Sequence, residues 1–255
     1  MTCRGVLSVT ERPVLIASHW RLSRTVLAVR LKQGVEMRSL IIGASGGIGA
    51  ALVAALGQRG EVVGLSRSVD GLDVADEARV APIMAAQTGQ FDMIIVASGA
   101  LEIAGNRPEK SLRALDPVAM TQQFAVNAVG PALVLKHALR LMPKDRPCRF
   151  AALSARVGSI GDNALGGWYS YRSAKAALNQ MIHTAAIEVA RSHPLAVVTV
   201  LHPGTVATGF TKDYVANRVT VTPDQAAANL IAVLDGLTPA DTGGFFDAAG
   251  ARITW

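Results

Sequence analysis

The chain has 255 residues, half of them hydrophobic and 17% charged, with a formal net charge of +6, 24 glycines and 2 cysteines. That apolar content excludes a disordered chain, and the length suits one large α/β domain whose core needs no staples. Cys3 and Cys148 cannot make a disulfide framework, and no Cys/His spacing suggests a metal site.

The charge is unevenly placed. Residues 1–36 hold Arg4, Arg12, Arg21, Arg24, Arg30 and Lys32 against Glu11 and Glu36, which is +4 of the +6. The remainder has no Lys/Arg run and no basic residues interleaved with aromatics, so it is not a nucleic-acid binder. Residues 1–36 show no apolar stretch followed by a small-residue cleavage site. They fit an arginine-rich transit peptide loosely, and more simply a poorly ordered extension or sequence upstream of a start at Met37. The longest uncharged run, Ser39–Gln58, has the length of about 20 residues that a bilayer demands. Gly43, Ser45, Gly46 and Gly47 interrupt it, so it reads as strand, turn and helix. No membrane association is expected, and a cytoplasmic location follows by default.

From Met37 onward, short apolar runs alternate with helical patterns. Strands are predicted at Leu40–Gly43, Val62–Ser66, Leu72–Val74, Met93–Ala97, Arg149–Ser154, Val197–His202 and Phe245–Phe246. Helices are predicted at Ile48–Arg59, Asp76–Thr88, Pro117–Met142, Tyr169–Ser192 and Pro223–Gly236. Asp116 and Thr222 are good caps for the helices that Pro117 and Pro223 open. Nearly all-apolar strands alternating with helices predict one α/β domain over 37–255, a Rossmann-type, doubly wound parallel sheet of about seven strands with helices on both faces.

Gly43-Ala44-Ser45-Gly46-Gly47-Ile48-Gly49 follows the first strand and opens a helix. Gly43 permits the tight turn, Gly47 a close approach to a pyrophosphate, and Gly49 the packing of helix on strand, with Ser45, Gly46 and Ile48 between them. The helix N-terminus offers free N–H groups to phosphates. After the second strand, Ser66 and Arg67 stand where an acidic residue would select NAD; a guanidinium there suits the 2′-phosphate of NADP(H). Asp73 and Val74 either contact the adenine or serve the following helix. Tyr171 and Lys175, four apart on one helix face, suit proton transfer, because a nearby ammonium favours the phenolate.

Taken together, the turn at 43–49, Asn127, Tyr171 with Lys175, and Pro203-Gly204-Thr205-Val206-Ala207-Thr208 resemble the short-chain dehydrogenase/reductase family over essentially all of Met37–Trp255. Leu153-Ser154-Ala155-Arg156-Val157-Gly158-Ser159-Ile160 and Gly166-Gly167-Trp168-Tyr169-Ser170-Tyr171-Arg172, with the Phe245-Phe246-Asp247 ending, look most like its branch of C-factor-related and sniffer-type carbonyl reductases. The resemblance implies that Tyr171 is the general acid/base and that Lys175 binds the nicotinamide ribose. It implies that Asn127 holds a water in a proton relay. Pro203, Gly204, Val206 and Thr208 would orient the carboxamide. Val96-Ala97-Ser98-Gly99 keeps only the glycine of the family's phrase at the end of the fourth strand. Where members carry paired serines, this chain has Ser154 and then Ala155, so Ser154, or Ser159 from the following loop, must polarise the substrate.

Trp168, Phe210 and Tyr214 are candidate pocket walls, and an apolar lining points to a hydrophobic aldehyde, ketone or alcohol. Ala176, Ala177, Ala185 and Ala186 would permit close approach of a second copy in a homodimer. The expected function is an NADP(H)-dependent carbonyl reductase or alcohol dehydrogenase. The alternative is a nucleotide-binding regulatory protein that has lost turnover, for which Ala155 is the only support.

Overall fold

The computed structural model describes residues 37–214 and 219–255; the segment 1–36 discussed above lies outside the described residues. Met37–Ile42 (β1), Gly60–Leu65 (β2), Met93–Val96 (β3), Cys148–Leu153 (β4), Ala196–His202 (β5) and Phe245–Asp247 (β6) are the strands. They form one sheet in the order β2-β1-β3-β4-β5-β6, with every neighbouring pair parallel. The long helices are Gly47–Gly57 (α1), Glu77–Ala85 (α2), Pro117–Leu141 (α3), Tyr169–Ser192 (α4) and Pro223–Gly236 (α5).

Strand alternation sorts the core into two layers. Leu40, Ile42, Ile94, Val96, Phe150, Ala152, Val198 and Val200 face α2, α3 and α4. Ile41, Met93, Ile95, Ala151, Leu153 and Leu201 face α1 and α5. Both faces are covered, which is why the strands are apolar at most positions, and β3 at all of them. The helix starts follow local chemistry. Asp116 accepts from the Ala119 N–H at 2.7 Å and Thr222 from the Gln225 N–H at 3.2 Å.

One expectation is corrected. Leu72–Val74 is not a strand, so the described sheet has six strands rather than about seven. Gly71, at φ 70°, ends a one-turn helix at Arg67–Asp70 in the left-handed region. The Leu72 N–H then donates back to the Ser66 carbonyl, and the Ala75 N–H to the Asp73 carboxylate. Leu72 and Val74 are still buried, but local turns use up the backbone donors that a ladder would need.

Helix α3 is also long and apolar enough to cross a membrane by length and composition. Its Ala128, Val134, Leu135, Ala138 and Leu141 belong to the core, and buried Gln123 and Asn127 interrupt its apolar face. It widens to a π-turn at Ala125–Val129, around Asn127. Such turns are frequent at functional sites.

The chain passes from β1 to β2 on one side and to β3 on the other. That reversal opens a crevice beyond the carboxyl ends of β1 and β3, where open α/β sheets bind their ligands.

Candidate active site

The glycine turn between β1 and α1 is set by close approaches. A Cβ on Gly49 would stand 2.1 Å from the Gly43 carbonyl oxygen, and one on Gly43, at φ 90°, 2.7 Å from the Ser98 nitrogen. At Gly47 a Cβ would meet the Thr208 methyl at 2.7 Å. Gly47 therefore lets the glycine turn touch the loop carrying Thr208, a reason additional to the phosphate approach expected of it. Gly46 caps α1 without a side-chain bond, and no acidic residue occupies the first turn. The first N–H groups of α1 are left to the cleft.

Two cavities, of about 700 and 370 Å³, meet at Gly46, Ala97, Ser98 and Gly99. The smaller is lined by Gly43, Ser45, Arg67, Ser68, Asp73 and Val74 among others. The Ser98 hydroxyl, at the junction, is buried with no hydrogen-bond partner in the protein. A long, bent crevice with free amide donors, an orphaned buried hydroxyl and an exposed guanidinium at its far end fits a dinucleotide. Arg67 makes no ion pair among the described residues. Ser66 behaves otherwise than expected. It is buried, caps the Arg67–Asp70 turn by accepting from the Val69 N–H at 3.3 Å, and donates to Asp70 at 3.4 Å. Ser68, which sequence reading passed over, lines the cavity in its place and donates to Ser45 at 3.2 Å.

The larger cavity runs from Gly46, Gly47, Ile48 and Gly49 past Pro203, Gly204, Val206 and Thr208 to Tyr171 and Lys175. Both are buried on one face of α4, and Asn179 continues that face one turn further. Lys175 Nζ donates to the Leu153 carbonyl at 2.9 Å and lies 5.8 Å from the centre of the Tyr171 ring. Burial pushes the Tyr171 phenol up and brings the Lys175 ammonium down to about 7. The expected lowering of the tyrosine by its neighbour is thus outweighed by desolvation, which favours the neutral form of each. The helix start is held from outside. Trp168 precedes it in the left-handed region, and the Glu109 carboxylate accepts from the Ser170 N–H at 3.2 Å and from the Ser170 hydroxyl.

Asn127 is buried, and its amide is spent on structure. It donates to the Ala100 carbonyl at 2.7 Å and Gln123 at 2.6 Å, and accepts from the Ala100 N–H at 3.1 Å. It clamps the loop after β3 beside the site, where a Cβ on Gly99 would lie 3.0 Å from Asn127 Oδ1 and 3.6 Å from Lys175 Nζ. Ser154 lines the large cavity, but its proton goes to Asn179 Oδ1 at 2.6 Å. Asn179 in turn donates to the Gly158 carbonyl at 3.3 Å, which fixes its orientation. Ser159 does not line the cavity. It is buried, and its hydroxyl accepts from the Asp162 N–H at 3.1 Å.

Trp168, Phe210 and Tyr214 do line it. Tyr171 stands 6.2 Å from Trp168 and 6.4 Å from Phe210, and Trp168 meets Tyr214 edge-on at 5.5 Å. Tyr214 is tied to Glu102 and Arg107 across the cleft. The lining is less apolar than expected, because Arg156, Asp162, Arg172 and His202 join it. His202, at the end of β5, has a buried Nδ1 without a partner, and burial brings the ring down to about 4. Asn179 was legible in the i, i+4, i+8 spacing from Tyr171. His202, Arg172 and Glu109 carry no such signal.

Residues 38–219 match the family model described as short chain dehydrogenase, and the chain belongs to that family. It is 31% identical over 226 residues to the 1-hydroxy-2-glutathionyl-2-methyl-3-butene dehydrogenase of Rhodococcus sp. (strain AD45), covering 85% of this chain and 98% of that one. It is 34% identical over 142 residues to C-signal of Myxococcus xanthus, covering 55% of this chain and 81% of that one. The fold matches carbonyl reductase Sniffer of D. melanogaster with a TM-score of 0.74 at 18% identity, over 86% of this chain and 99% of that one. The protein is accordingly an NAD(P)-dependent oxidoreductase of the short-chain family, acting on small molecules.

Proposed function

We propose that the protein is an NADP(H)-dependent carbonyl reductase or alcohol dehydrogenase of a small, largely hydrophobic substrate, with Tyr171 as general acid/base. The observation that carries this reading is the position of Tyr171. Its phenol is buried in a cavity that also holds Lys175 and continues into the glycine turn. A bound nicotinamide would supply the hydride in reduction and accept it in oxidation. The residues that would hold the dinucleotide are Gly43–Gly49, Arg67, Ser68, Ser98, Gly99 and the Pro203–Thr208 phrase. Burial keeps the phenol protonated, so Tyr171 gives its proton to the carbonyl oxygen in reduction and recovers it in oxidation. Lys175 sits where it would bind the ribose, with Asn127 holding the adjacent loop in place. Ser154 would polarise the carbonyl by turning its proton from Asn179 to the substrate oxygen. Arg67, which makes no ion pair among the described residues, supports NADP(H) over NAD(H).

Of Ala176, Ala177, Ala185 and Ala186, only Ala176 is left outside the core packing for a dimer face. Ala186 is in the core, and Ala177 and Ala185 pack against it. A homodimer would instead use the exposed Val118, Val129, Met181 and Ile187 on α3 and α4. The proposed location is cytoplasmic.

The test compares the full-length protein with Tyr171→Phe, following NADPH and NADH consumption with a set of aldehydes and ketones. Turnover preferring NADPH is expected, lost by a factor of about 10²–10⁴ in Tyr171→Phe while NADPH still binds. NADPH binding with no consumption by either protein would overturn the reading. It would favour the regulatory alternative that Ala155 and the Ser154–Asn179 bond support.

A further inference from the structure

Apart from Lys175, one cation in the wall of the large cavity makes no ion pair among the described residues. Arg172 follows Tyr171 on α4 and is half-buried. Its Nε donates to the Gly167 carbonyl at 2.9 Å and its Nη1 to the Val157 carbonyl at 3.4 Å. These are two of the five donors of a guanidinium, and both acceptors are neutral. They hold the fork against the two ends of the loop that walls the cavity, without cancelling its charge. Burial lowers Arg172 from its usual value, a sign that its charge is incompletely solvated.

The neighbouring charged groups are already committed. Arg156 is paired with Asp162 at 3.1 Å and with Asp247 at 3.2 Å, so the one carboxylate in the lining is taken. Lys175 belongs to the reacting centre and is bonded to Leu153. Neutral His202 adds a hydrogen-bonding edge but no charge. Val157 and Trp168 touch Arg172 through their carbonyls, and the same cavity has apolar wall from Val157, Leu165, Trp168 and Phe210. A charged, partly desolvated and pre-oriented guanidinium is the side chain best suited to grip a carboxylate with two parallel bonds.

We propose that Arg172 is an anion-recognition residue, and that the preferred substrate is a hydrophobic carbonyl compound or alcohol bearing one carboxylate. The proposal deepens the oxidoreductase reading and rests on it for the word substrate. The carboxylate lies against Arg172 and the loop carbonyls orient the fork. The apolar body fills the aromatic wall, and the reacting oxygen reaches Tyr171.

The experiment uses the full-length protein in two arms. In the first, matched acid and methyl-ester carbonyl compounds, an aromatic pair (4-formylbenzoate) and an alicyclic pair (4-oxocyclohexanecarboxylate), are compared by their kcat/KM ratio. Wild type is expected to favour the acids at least tenfold. Arg172→Gln is expected to lower the acid-to-ester ratio at least tenfold, chiefly through KM for the acids, with Arg172→Lys in between. In the second arm, calorimetry reads benzoate against benzamide on the NADPH-saturated protein, which needs no turnover. Benzoate is expected to bind wild type and to lose at least tenfold in Arg172→Gln. An unchanged ratio with acids and esters losing activity alike would overturn the proposal and leave Arg172 as a loop fastener. Equal binding of benzoate by both proteins, or none by wild type, would overturn it too. Benzoate binding through Arg172 without consumption of any carbonyl compound would instead sink the reductase reading and keep the anion site.

Discussion

The adenosine end of the cleft and its catalytic end are built from different materials. At the first, backbone does the work. Gly43, Gly46, Gly47 and Gly49 lack Cβ atoms, the first turn of α1 offers N–H groups, and the side chains that matter, Arg67 and Ser68, are exposed. At the second, buried side chains from separate parts of the chain interlock: Tyr171, Lys175 and Asn179 from α4, Ser154 just after β4, Asn127 from α3 and Glu109 from a loop. A backbone site keeps its chemistry through local spacing alone. A site of buried side chains has its protonation states and hydrogen-bond directions set by whatever surrounds it, and here burial reversed the expected effect on Tyr171.

Changes at the catalytic end should cost the most. Ser154→Ala is expected to lower kcat for carbonyl reduction by about 10²–10³, the worth of one donor to a developing oxyanion, with KM for NADPH unchanged. Steady-state kinetics measure it. A fall below threefold would show that the hydroxyl never leaves Asn179 and that Tyr171 acts alone. At the adenosine end the effect should be smaller and selective. Arg67→Ala is expected to raise KM for NADPH roughly tenfold and leave KM for NADH within about twofold, since only the former carries the extra phosphate. Equal shifts for both cofactors would remove Arg67 from phosphate recognition.

The smallest effect separates burial from contact. Lys175 has a folded value near 7, below that of an unfolded lysine. Between about pH 7 and 10 the unfolded chain therefore binds more protons at this residue, and stability rises with pH across that window. The cost of the buried charge is fully present below pH 7 and disappears as pH approaches the unfolded value. Urea unfolding should show a contribution of up to about 1.4 kcal/mol per pH unit that Lys175→Met abolishes. Parallel pH profiles in the two proteins would mean that Lys175 is better solvated than its burial indicates.

The strands and helices were largely readable because apolar runs, proline starts and capping residues report local preferences. Leu72–Val74 misled, since three apolar residues signal burial but not whether a ladder partner exists. Residues whose importance lies in chain spacing, such as Gly43 to Gly49 or Tyr171 to Lys175, also stood out. Ser66 and Ser159 did not behave as read. A serine near a strand end is equally able to cap a turn, and only the position of Asp70 or of the Asp162 N–H decides.

Sequence alone determined that this chain folds as a parallel α/β sheet, places a glycine turn after its first strand and carries Tyr171 and Lys175 on one helix face. These follow from periodicities of 2 and 3.6 and from residues that permit or forbid a backbone shape. Tertiary structure decided the rest. It sent the Ser154 proton to Asn179, used Asn127 as a clamp, neutralised Arg156 and left Arg172 without an ion pair among the described residues. Hydrogen-bond direction and desolvation depend on groups that are distant in the chain, and no local pattern encodes their arrival.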